Sequence, residues 1–398
     1  MSDATVTFVG DREPLLTAIN FCKPGAEGPK SSPDTNMLSM FIKKDAKRIK
    51  FLSRNAYVQC AAVVDLTQAP QTGRKLVVEW DKLQSLLTKT KKDDSITYVA
   101  PADGAAASLD SVEVRSIHGQ YEFGLLDSQS FFEMKPKMRA IGHFNAAALG
   151  DLFDKTRVIN GPGVYFVRFS TKKFNDKMYA QVLLRSDREL ATLTIEAPDI
   201  TEEFTVFLPS DALKHIQQMS AADMHFALPE DKDENYIQLS NPDPKNPSTL
   251  LLACAMEPNH DIEESLVLIK KRPDQEIKWD IKEMGTIVNR LEAMSRGDVV
   301  LTVPAGKTLA GVSVNNNKHR GSETIELTGS EIGVSQDKDI QLVLGIGTVR
   351  KLHKLVDDDE LKVEYEQLKE DGSIAQFGVI HGKAGNTHYR VMFTIAKD

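Results

Sequence analysis

Cysteine is scarce in this chain: Cys22, Cys60 and Cys254 are the only three among 398 residues. None stands in a C-x-x-C pair, which argues against a zinc ribbon or a redox dithiol. They read instead as three half-buried thiols of a reducing compartment. No apolar run approaches the ~20 residues of a membrane span. The first residues, MSDATVTFVG, lack the basic and then apolar stretches of a signal peptide. The nine histidines form no H-E-x-x-H, and His319 and His353 read as solvated surface residues. G-x-S-x-G is also missing. With no catalytic constellation the chain is not expected to be an enzyme, and no cofactor or metal is expected. Basic charge is in deficit, with 49 Lys and Arg against 57 Asp and Glu and a net charge of -8. That excludes indiscriminate coating of nucleic acid. It leaves room for one basic face, so the position of each cation matters more than the sum.

Two stretches imitate nucleotide-binding motifs. In Leu342–Leu355, LVLGIGTVRKLHKL, an apolar strand meets Gly345 and Gly347 and then a helix. The dinucleotide fingerprint needs a third glycine, where Arg350 stands, and a parallel βαβ unit, whereas the following segments look like hairpin-linked strands. In PAGKT, Pro304–Thr308, the first glycine of a phosphate loop is replaced by Leu301. Both glycine runs are therefore read as turn chemistry. The short acidic runs Asp93-Asp94 and Asp357-Asp358-Asp359 read as solvated helix or turn ends.

What the chain does contain is a repeat. Six helical segments each follow an extended one: EPLLTAINFCK after TVTFV, WDKLQSLLTKT after RKLVVE, NAAALGDLFDKTRVI after FFEMKPKMRAIGHF, PSDALKHIQQM after EEFTVFL, DIKEMGTIVNRLEAM after QEIKW, and IGTVRKLHKL after KDIQLVL. One core position per helix sets the spacing. Leu16, Leu83, Leu149, Leu213, Met284 and Leu352 are separated by 67, 66, 64, 71 and 68 residues. After each helix the pattern turns to alternation, as in SVEVRSI, NYIQLS and ELKVEYEQL, the mark of antiparallel strands with one buried face. Each unit is thus expected to be β-α-β-β-β. Two units make a domain of about 130 residues, which places three domains at 1–130, 131–260 and 261–398. The boundaries fall in LDSQSFFEMKPK and MEPNHDIEESL, both polar and each with a proline.

On helical wheels the sixth helix buries Val349, Leu352 and Val356 and turns Arg350 and Lys354 outward, flanked by Lys351 and His353. The fifth buries Met284, Val288 and Leu291 and exposes Arg290. The second buries Trp80, Leu83, Leu86 and Leu87, with Lys82, Lys89 and Lys92 outward. The fourth buries Leu213 and Ile216, exposes His215 and is flanked by Lys214. The third offers Lys155 and Arg157. Asp81, Asp151 and Asp211 are exposed among them, so the basic signal is uneven. It gains weight only if six helices line one surface.

Three domains of two such units resemble the bacterial β sliding clamp, the processivity ring of replicative DNA polymerase. LVVEWDKLQSLL, followed by VEVRSIHGQYEFGLLDSQSFFEM, resembles the second half of a clamp's first domain. RSDRELATL (Arg185–Leu193) is similar to the clamp's Thr-Asp-Gly-aromatic/His-Arg-Leu-Ala segment, one residue shorter and without its glycine. HYRVMFTIAKD is similar to the clamp's tail, with Tyr389, Val391 and Met392 matching and Phe393 replacing a proline. These departures point to a divergent member, and a bacteriophage source is one expectation.

The resemblance implies an α+β fold of six units in a head-to-tail homodimer, with helices lining a central hole and sheets outside. Duplex DNA would be held topologically and without sequence preference. Polymerase and clamp loader would dock through short linear motifs. The setting would be the cytoplasm of a bacterium or of an infected host cell. The DNA-facing residues would be Lys82, Lys89, Lys92, Lys155, Arg157, Lys214, Arg290, Arg350, Lys351 and Lys354. The docking cleft would draw on Leu152, Phe153, Leu190, Pro258, Ile262, Met392, Phe393 and Ile395, and the dimer contact on Tyr121, Phe123 and Leu125. A checkpoint- or transcription-type clamp relative, and a non-enzymatic structural or viral assembly protein of repeated β-rich domains, stand as the alternatives.

Overall fold

Each repeat opens with alternating apolar residues and changes within a residue or two to apolar positions three and four apart, so a strand runs almost directly into a helix. The computed structural model describes residues 5–27, 36–70, 73–92, 94–101, 111–126, 131–160, 163–216, 223–231, 233–243, 247–258, 262–273, 275–295, 297–304, 306–315, 319–328, 340–367 and 375–394. The first unit comprises β1 (Thr5–Asp11), α1 (Arg12–Phe21), a one-turn α2 (Lys23–Ala26), β2 (Met37–Ile42), β3 (Arg48–Arg54) and β4 (Val58–Asp65). The second comprises β5 (Arg74–Glu79), α3 (Trp80–Lys89), β6 (Ser95–Pro101), β7 (Ser111–Ser116) and β8 (Gly119–Gly124). In the third are β9 (Met138–Phe144), α4 (Ala146–Ile159), β10 (Val164–Phe174), β11 (Lys177–Ser186) and β12 (Glu189–Glu196). The fourth has β13 (Phe204–Leu208), a 3-10 turn at Ser210–Ala212 continued by α5 (Leu213–Ile216), β14 (Met224–Pro229), β15 (Tyr236–Asn241) and β16 (Ser248–Ala253). A short helix, α6 (Ile262–Leu268), precedes the fifth unit: β17 (Gln275–Asp280), α7 (Ile281–Glu292), β18 (Asp298–Val303), β19 (Leu309–Asn315) and β20 (Arg320–Glu326). The sixth holds β21 (Ile340–Gly345), α8 (Ile346–Leu355), β22 (Glu360–Gln367), β23 (Ala375–Ala384) and β24 (Thr387–Thr394).

Leu83, Leu149, Leu213, Met284 and Leu352 are buried, each contributing about 1.5–3 kcal/mol of apolar burial. In α1 the buried residue is Leu15, and Leu16 is half-buried, a one-position rotation of the expected face. Leu355 closes the stripe of α8, and Val356 is its half-buried C-cap. Trp80 and Leu86 are only half-buried, and the Trp80 indole donates to the Ile19 carbonyl at 2.7 Å. Helix α7 is capped by Asp280, whose carboxylate accepts from the Glu283 amide at 2.7 Å. Helix α3 borrows its cap: Asn36 Oδ1 accepts from the Asp81 amide at 3.0 Å. Burial raises all three thiols, Cys60 and Cys254 to about 12, and Cys22 and Cys60 are fully buried rather than half-buried.

The strands do not stay within their units. The four-stranded sheet β1-β6-β7-β8 takes its first strand from unit one and the rest from unit two; β5, in return, pairs with β2. Units three and four exchange β9 and β13 in the same way, and units five and six exchange β17 and β21. All these pairings are antiparallel. Val299 pairs with Leu344, so the strand before Gly345 belongs to no parallel βαβ unit. The PAGKT stretch is the turn between β18 and β19, with Gly306 at φ +64.

A hook repeats at every second unit. The backbone amides of Thr67, Thr201 and Thr328 donate to the carbonyls of Val9, Ile141 and Lys278, each on the first strand of units one, three and five. The residue before each threonine, Leu66, Ile200 or Leu327, is buried. The second hook packs backbone on backbone at Gly142. Gly142 has φ +133, and a Cβ there would lie 2.0 Å from the Asp199 carbonyl oxygen.

Half-sheets then join edge to edge. β4 pairs with β16 (Cys60 with Leu250) in one eight-stranded sheet, and β12 pairs with β24 (Leu190 with Met392) in another. By contacts the chain forms two compact units: Met1–Ala147 with Asp199–Thr201 and Lys214–Ala255, and Ala148–Pro198 with Glu202–Leu213 and Met256–Asp398. Each holds one eight-stranded and one four-stranded sheet. Among the described residues no helix is long and apolar enough to cross a membrane.

Candidate nucleic-acid interface and docking face

The helix cations fall into three groups. Lys89, Lys92 and Lys354 are exposed and carry no ion pair among the described residues. Lys82, Arg290 and Arg350 are solvent-accessible but engaged. Lys82 pairs with Glu79 at 2.7 Å. Arg290 grips Glu323 with both sides of its guanidinium, Nε to Oε1 at 2.8 Å. Arg350 bonds Glu292 at 2.8 and 2.5 Å and Asn289 at 2.6 Å, tying α8 to the end of α7. These hydrogen bonds raise the Lys82 and Arg290 pKa values and hold the Glu323 carboxyl below its usual range. The third group serves the fold. Lys155 is half-buried and donates to Asp357 at 2.9 Å and to the Leu355 carbonyl at 3.3 Å. Lys351 donates at 3.1 Å to Glu189, a buried carboxylate that also accepts from Ser186 and Thr348. Arg157 is exposed near the end of α4, and Lys214 lies on α5.

Three residues expected on the surface are engaged by the fold, His215 buried and Asp151 and His353 half-buried. His215 is 6% exposed. Asp151 accepts from the Thr387 hydroxyl and the Asn386 amide. His353 Nε2 accepts a hydrogen bond from the Trp279 indole at 3.2 Å, and burial lowers its pKa to about 4. Among the described residues no group of three or more His, Cys, Asp and Glu is placed to hold a metal ion.

The structure brings some of the expected cleft residues together and separates others. Leu190 and Met392 face each other across β12 and β24, in a cluster with Phe166, Leu183, Phe207, Ile269 and Val379. Ile262 packs against it from α6. Phe393, the next residue along β24, necessarily points to the other face, where it is 1% exposed against Gly378. Phe153 also belongs to that other face: its ring meets Phe169 at 5.3 Å, and Leu152 beside it is fully buried. Phe393, Phe153 and Leu152 are therefore buried apart from the Leu190–Met392 cluster. Pro258 is half-buried ahead of α6 and is not part of the cluster. Ile395 lies outside the described residues. Helix α6 falls where the sequence predicts only a polar boundary, and the signal for it is the helical spacing of Ile262, Leu266 and Ile269.

No protein-family model matches the sequence, and no curated protein matches it. Solved structures do. The DNA polymerase sliding clamp from Caulobacter crescentus superposes with a TM-score of 0.79 at 11% identity, covering 99% of this chain and 100% of that one. The DNA polymerase sliding clamp from Pseudomonas aeruginosa with ligand gives 0.72 at 13% identity, over 98% and 99%. The same organism's DNA polymerase III subunit beta bound to griselimycin gives 0.75 at 12% identity, over 98% and 100%.

The chain has the bacterial sliding-clamp fold.

Within this clamp fold, β8 and β20 are edge strands and, unlike the last strands of the other four units, join no further sheet. Among the described residues β8 pairs only with β7, and β20 only with β19. Tyr121 and Phe123 of β8 stand opposite the buried Val114 and Val112, so they share the helix-facing side of the sheet. Tyr121 is 43% exposed, Phe123 half-buried, and Leu125 half-buried just beyond the strand. Tyr121, Glu122 and Phe123 line an open groove of about 480 Å³ with Asp81, Lys82 and Ser85 of α3.

Proposed function

We propose that the chain is a processivity clamp: two copies close head to tail around duplex DNA and tether the replicative polymerase to it. The edges of β8 and β20 carry this reading. Units one and three end in β4 and β12, which join β16 and β24 of units four and six. The unused counterparts are β20 of unit five and β8 of unit two. Pairing β20 of one copy with β8 of another repeats the same junction a third time and removes two exposed edges. A contact of this head-to-tail kind must either close or run on as a filament, and the clamp fold supports closure at two copies. The groove beside Tyr121 and Phe123 is the place for the end of α7 from the second copy, where Met294 is 42% exposed.

The three domains are proposed at 1–130, 131–260 and 261–398. Each consists of two strand-exchanged units and repeats the threonine hook. Lys89, Lys92 and Lys354 contact phosphates directly. Lys82, Arg290 and Arg350 do so only by loosening their carboxylates, so the grip is weak, sequence-independent and suited to sliding. Polymerase and loader motifs dock on the Leu190–Met392 face. The protein acts by tethering rather than by catalysis, in the cytoplasm.

Size-exclusion chromatography with light scattering tests the ring. A mass of about 88 kDa, twice 44.2 kDa, is expected, and Phe123→Asp is expected to give folded monomers. Once loaded, the protein should stay on closed circular DNA and run off linear DNA. A monomer, an open polymer or equal retention on the two DNAs would sink the reading.

A further inference from the structure

The hairpin of β10 and β11 carries a groove that neither the ring contact nor the Leu190–Met392 face uses. Its turn is Asn175-Asp176, both at positive φ (46 and 61). That is a two-residue turn whose twist matches the flanking strands, so the hairpin tip is well defined. The register sets Lys172 opposite Tyr179 and Phe174 opposite Lys177, and Gln181 opposite Thr194 of β12. Alternation puts these side chains on one side of the sheet. Lys172, Phe174, Tyr179, Gln181 and Thr194 line an open groove of about 280 Å³. Arg185, the partner of Leu190, lies six residues beyond Tyr179 on β11, roughly 20 Å away at the rise of a strand.

Three properties of the groove single out its ligand. Phe174 is 66% exposed and Tyr179 is half-buried, which places two aromatic rings on neighbouring strands of an antiparallel sheet. One exposed apolar side chain needs no explanation, but two rings lining one concavity form a stacking surface. Charge comes second. Lys173 pairs with Asp176 at 3.1 Å and Lys177 with Glu196 at 2.9 Å. Lys172 is exposed and carries no ion pair among the described residues. Third, Gln181 donates to Thr194 Oγ1 at 3.3 Å, which leaves its carbonyl oxygen and a further N–H for a polar edge. A planar ring with polar edges and one negative charge fits all three. An unpaired nucleotide is such a group, and aromatic side chains on a sheet surface beside a cation are a general way of holding one. A duplex hides its base faces in its own stack. An acidic peptide would be drawn by charge alone, and the groove offers it a single unpaired cation.

We propose that the β10–β11 hairpin binds single-stranded nucleic acid, with a base stacked on Phe174 and Tyr179 and its phosphate on Lys172. Every base has a π face, so the site discriminates little between sequences. It lies on three consecutive strands of one sheet, and it functions whether or not two copies close into a ring.

The probe is a fluorescein-labelled oligothymidylate of about 12 nucleotides, titrated against the full-length protein by fluorescence anisotropy at low salt. Phe174→Ala and Tyr179→Ala are each expected to weaken binding roughly fivefold or more. Phe174→Trp keeps an aromatic face at the same exposed position and is expected to bind as tightly as the unmodified protein. Lys172→Gln is expected to lower the slope of log affinity against log salt by about 0.7. A strand of the same length without bases should bind weakly and show no dependence on Phe174. Phe174→Ala binding the thymidylate as the unmodified protein does would overturn the proposal. So would a baseless strand that binds as tightly as the thymidylate, or displacement of the probe by an oligoglutamate as effectively as by unlabelled thymidylate. The mass of the same samples is read separately: a monomer that still shows the Phe174 dependence refutes the ring and leaves the hairpin site standing, and a dimer without that dependence does the reverse.

Discussion

Replacing Gly378 with alanine places a methyl group where Phe393 already is. The new Cβ would lie 2.4 Å from Cζ, 2.6 Å from Cε2 and 3.1 Å from Cε1 of the ring, against an optimum of about 3.5–4.0 Å between carbons. The ring is 1% exposed and its strand is paired on both sides, so it has little room to retreat. Overpacking of this kind costs about 1–3 kcal/mol, partly offset by about 0.4–1 kcal/mol from the stiffer unfolded chain. Phe393→Leu removes the three ring atoms in question and by itself costs about 1–2 kcal/mol of lost packing. In the double variant the alanine methyl occupies part of the vacated space. The pair should therefore be less damaging than the sum of the singles, by about 1 kcal/mol or more. The assay is urea unfolding followed by tryptophan fluorescence in a Trp80→Phe background. The signal then reports Trp279, fully buried in β17 of the same sheet. Strict additivity would refute the argument, as would a Gly378→Ala variant as stable as the parent.

Gly142→Ala should be the most damaging small substitution in the chain. It forces a side chain into positive φ and against the Asp199 carbonyl, at about 3 kcal/mol or more, visible as a lowered thermal midpoint; an unchanged midpoint would contradict the hook geometry. His353 has a folded pKa of about 4 against an ordinary value near 6.5. The unfolded chain therefore binds more protons between those values. Stability from this group is complete above pH 6.5 and is lost as pH falls toward 4, by at most about 3 kcal/mol. His353→Gln keeps an acceptor for the Trp279 indole and should flatten the stability–pH profile over that window; a profile of unchanged slope would show that other groups set it. Tyr98 is fully buried and stacked on Phe8 at 4.6 Å, its hydroxyl without a hydrogen-bond partner among the described residues. Tyr98→Phe should leave stability unchanged or raise it by up to about 1 kcal/mol, and a clear loss in a thermal melt would reveal a partner for the hydroxyl.

Local periodicity alone was enough to count six units, to place their helices and to name five of the six buried core positions. These follow from neighbours in the chain: apolar residues three and four apart make a helix face, and alternation makes a strand face. The rotation of α1, with Leu15 inward in place of Leu16, already needed a tertiary contact to settle it. A further signal was present and went unread. The apolar-threonine pairs Leu66-Thr67, Ile200-Thr201 and Leu327-Thr328 mark every second unit.

The rest was decided by residues far apart. Nothing in RKLVVE or TVTFV says that each pairs with the other unit's strands, because antiparallel alternation is the same in either sheet. Alternation along β24 required Met392 and Phe393 to face opposite ways. Only the packing of α6 on one side and of Gly378 on the other showed which residue lies under α6 and which on the opposite, helix-covered face. Lys82, Lys89, Lys92, Arg290 and Lys354 were legible as exposed positions, whereas Lys155 and Lys351 are half-buried. The partners of the helix cations were not legible, since Arg290 meets Glu323, Arg350 meets Glu292 and Lys155 meets Asp357 across turns and strands that no local pattern connects. The sequence by itself determined the units and their buried stripes, through interactions within a few residues. The tertiary structure decided which strands pair, which cations are tied up in ion pairs and which apolar face is covered, because those depend on contacts between distant segments.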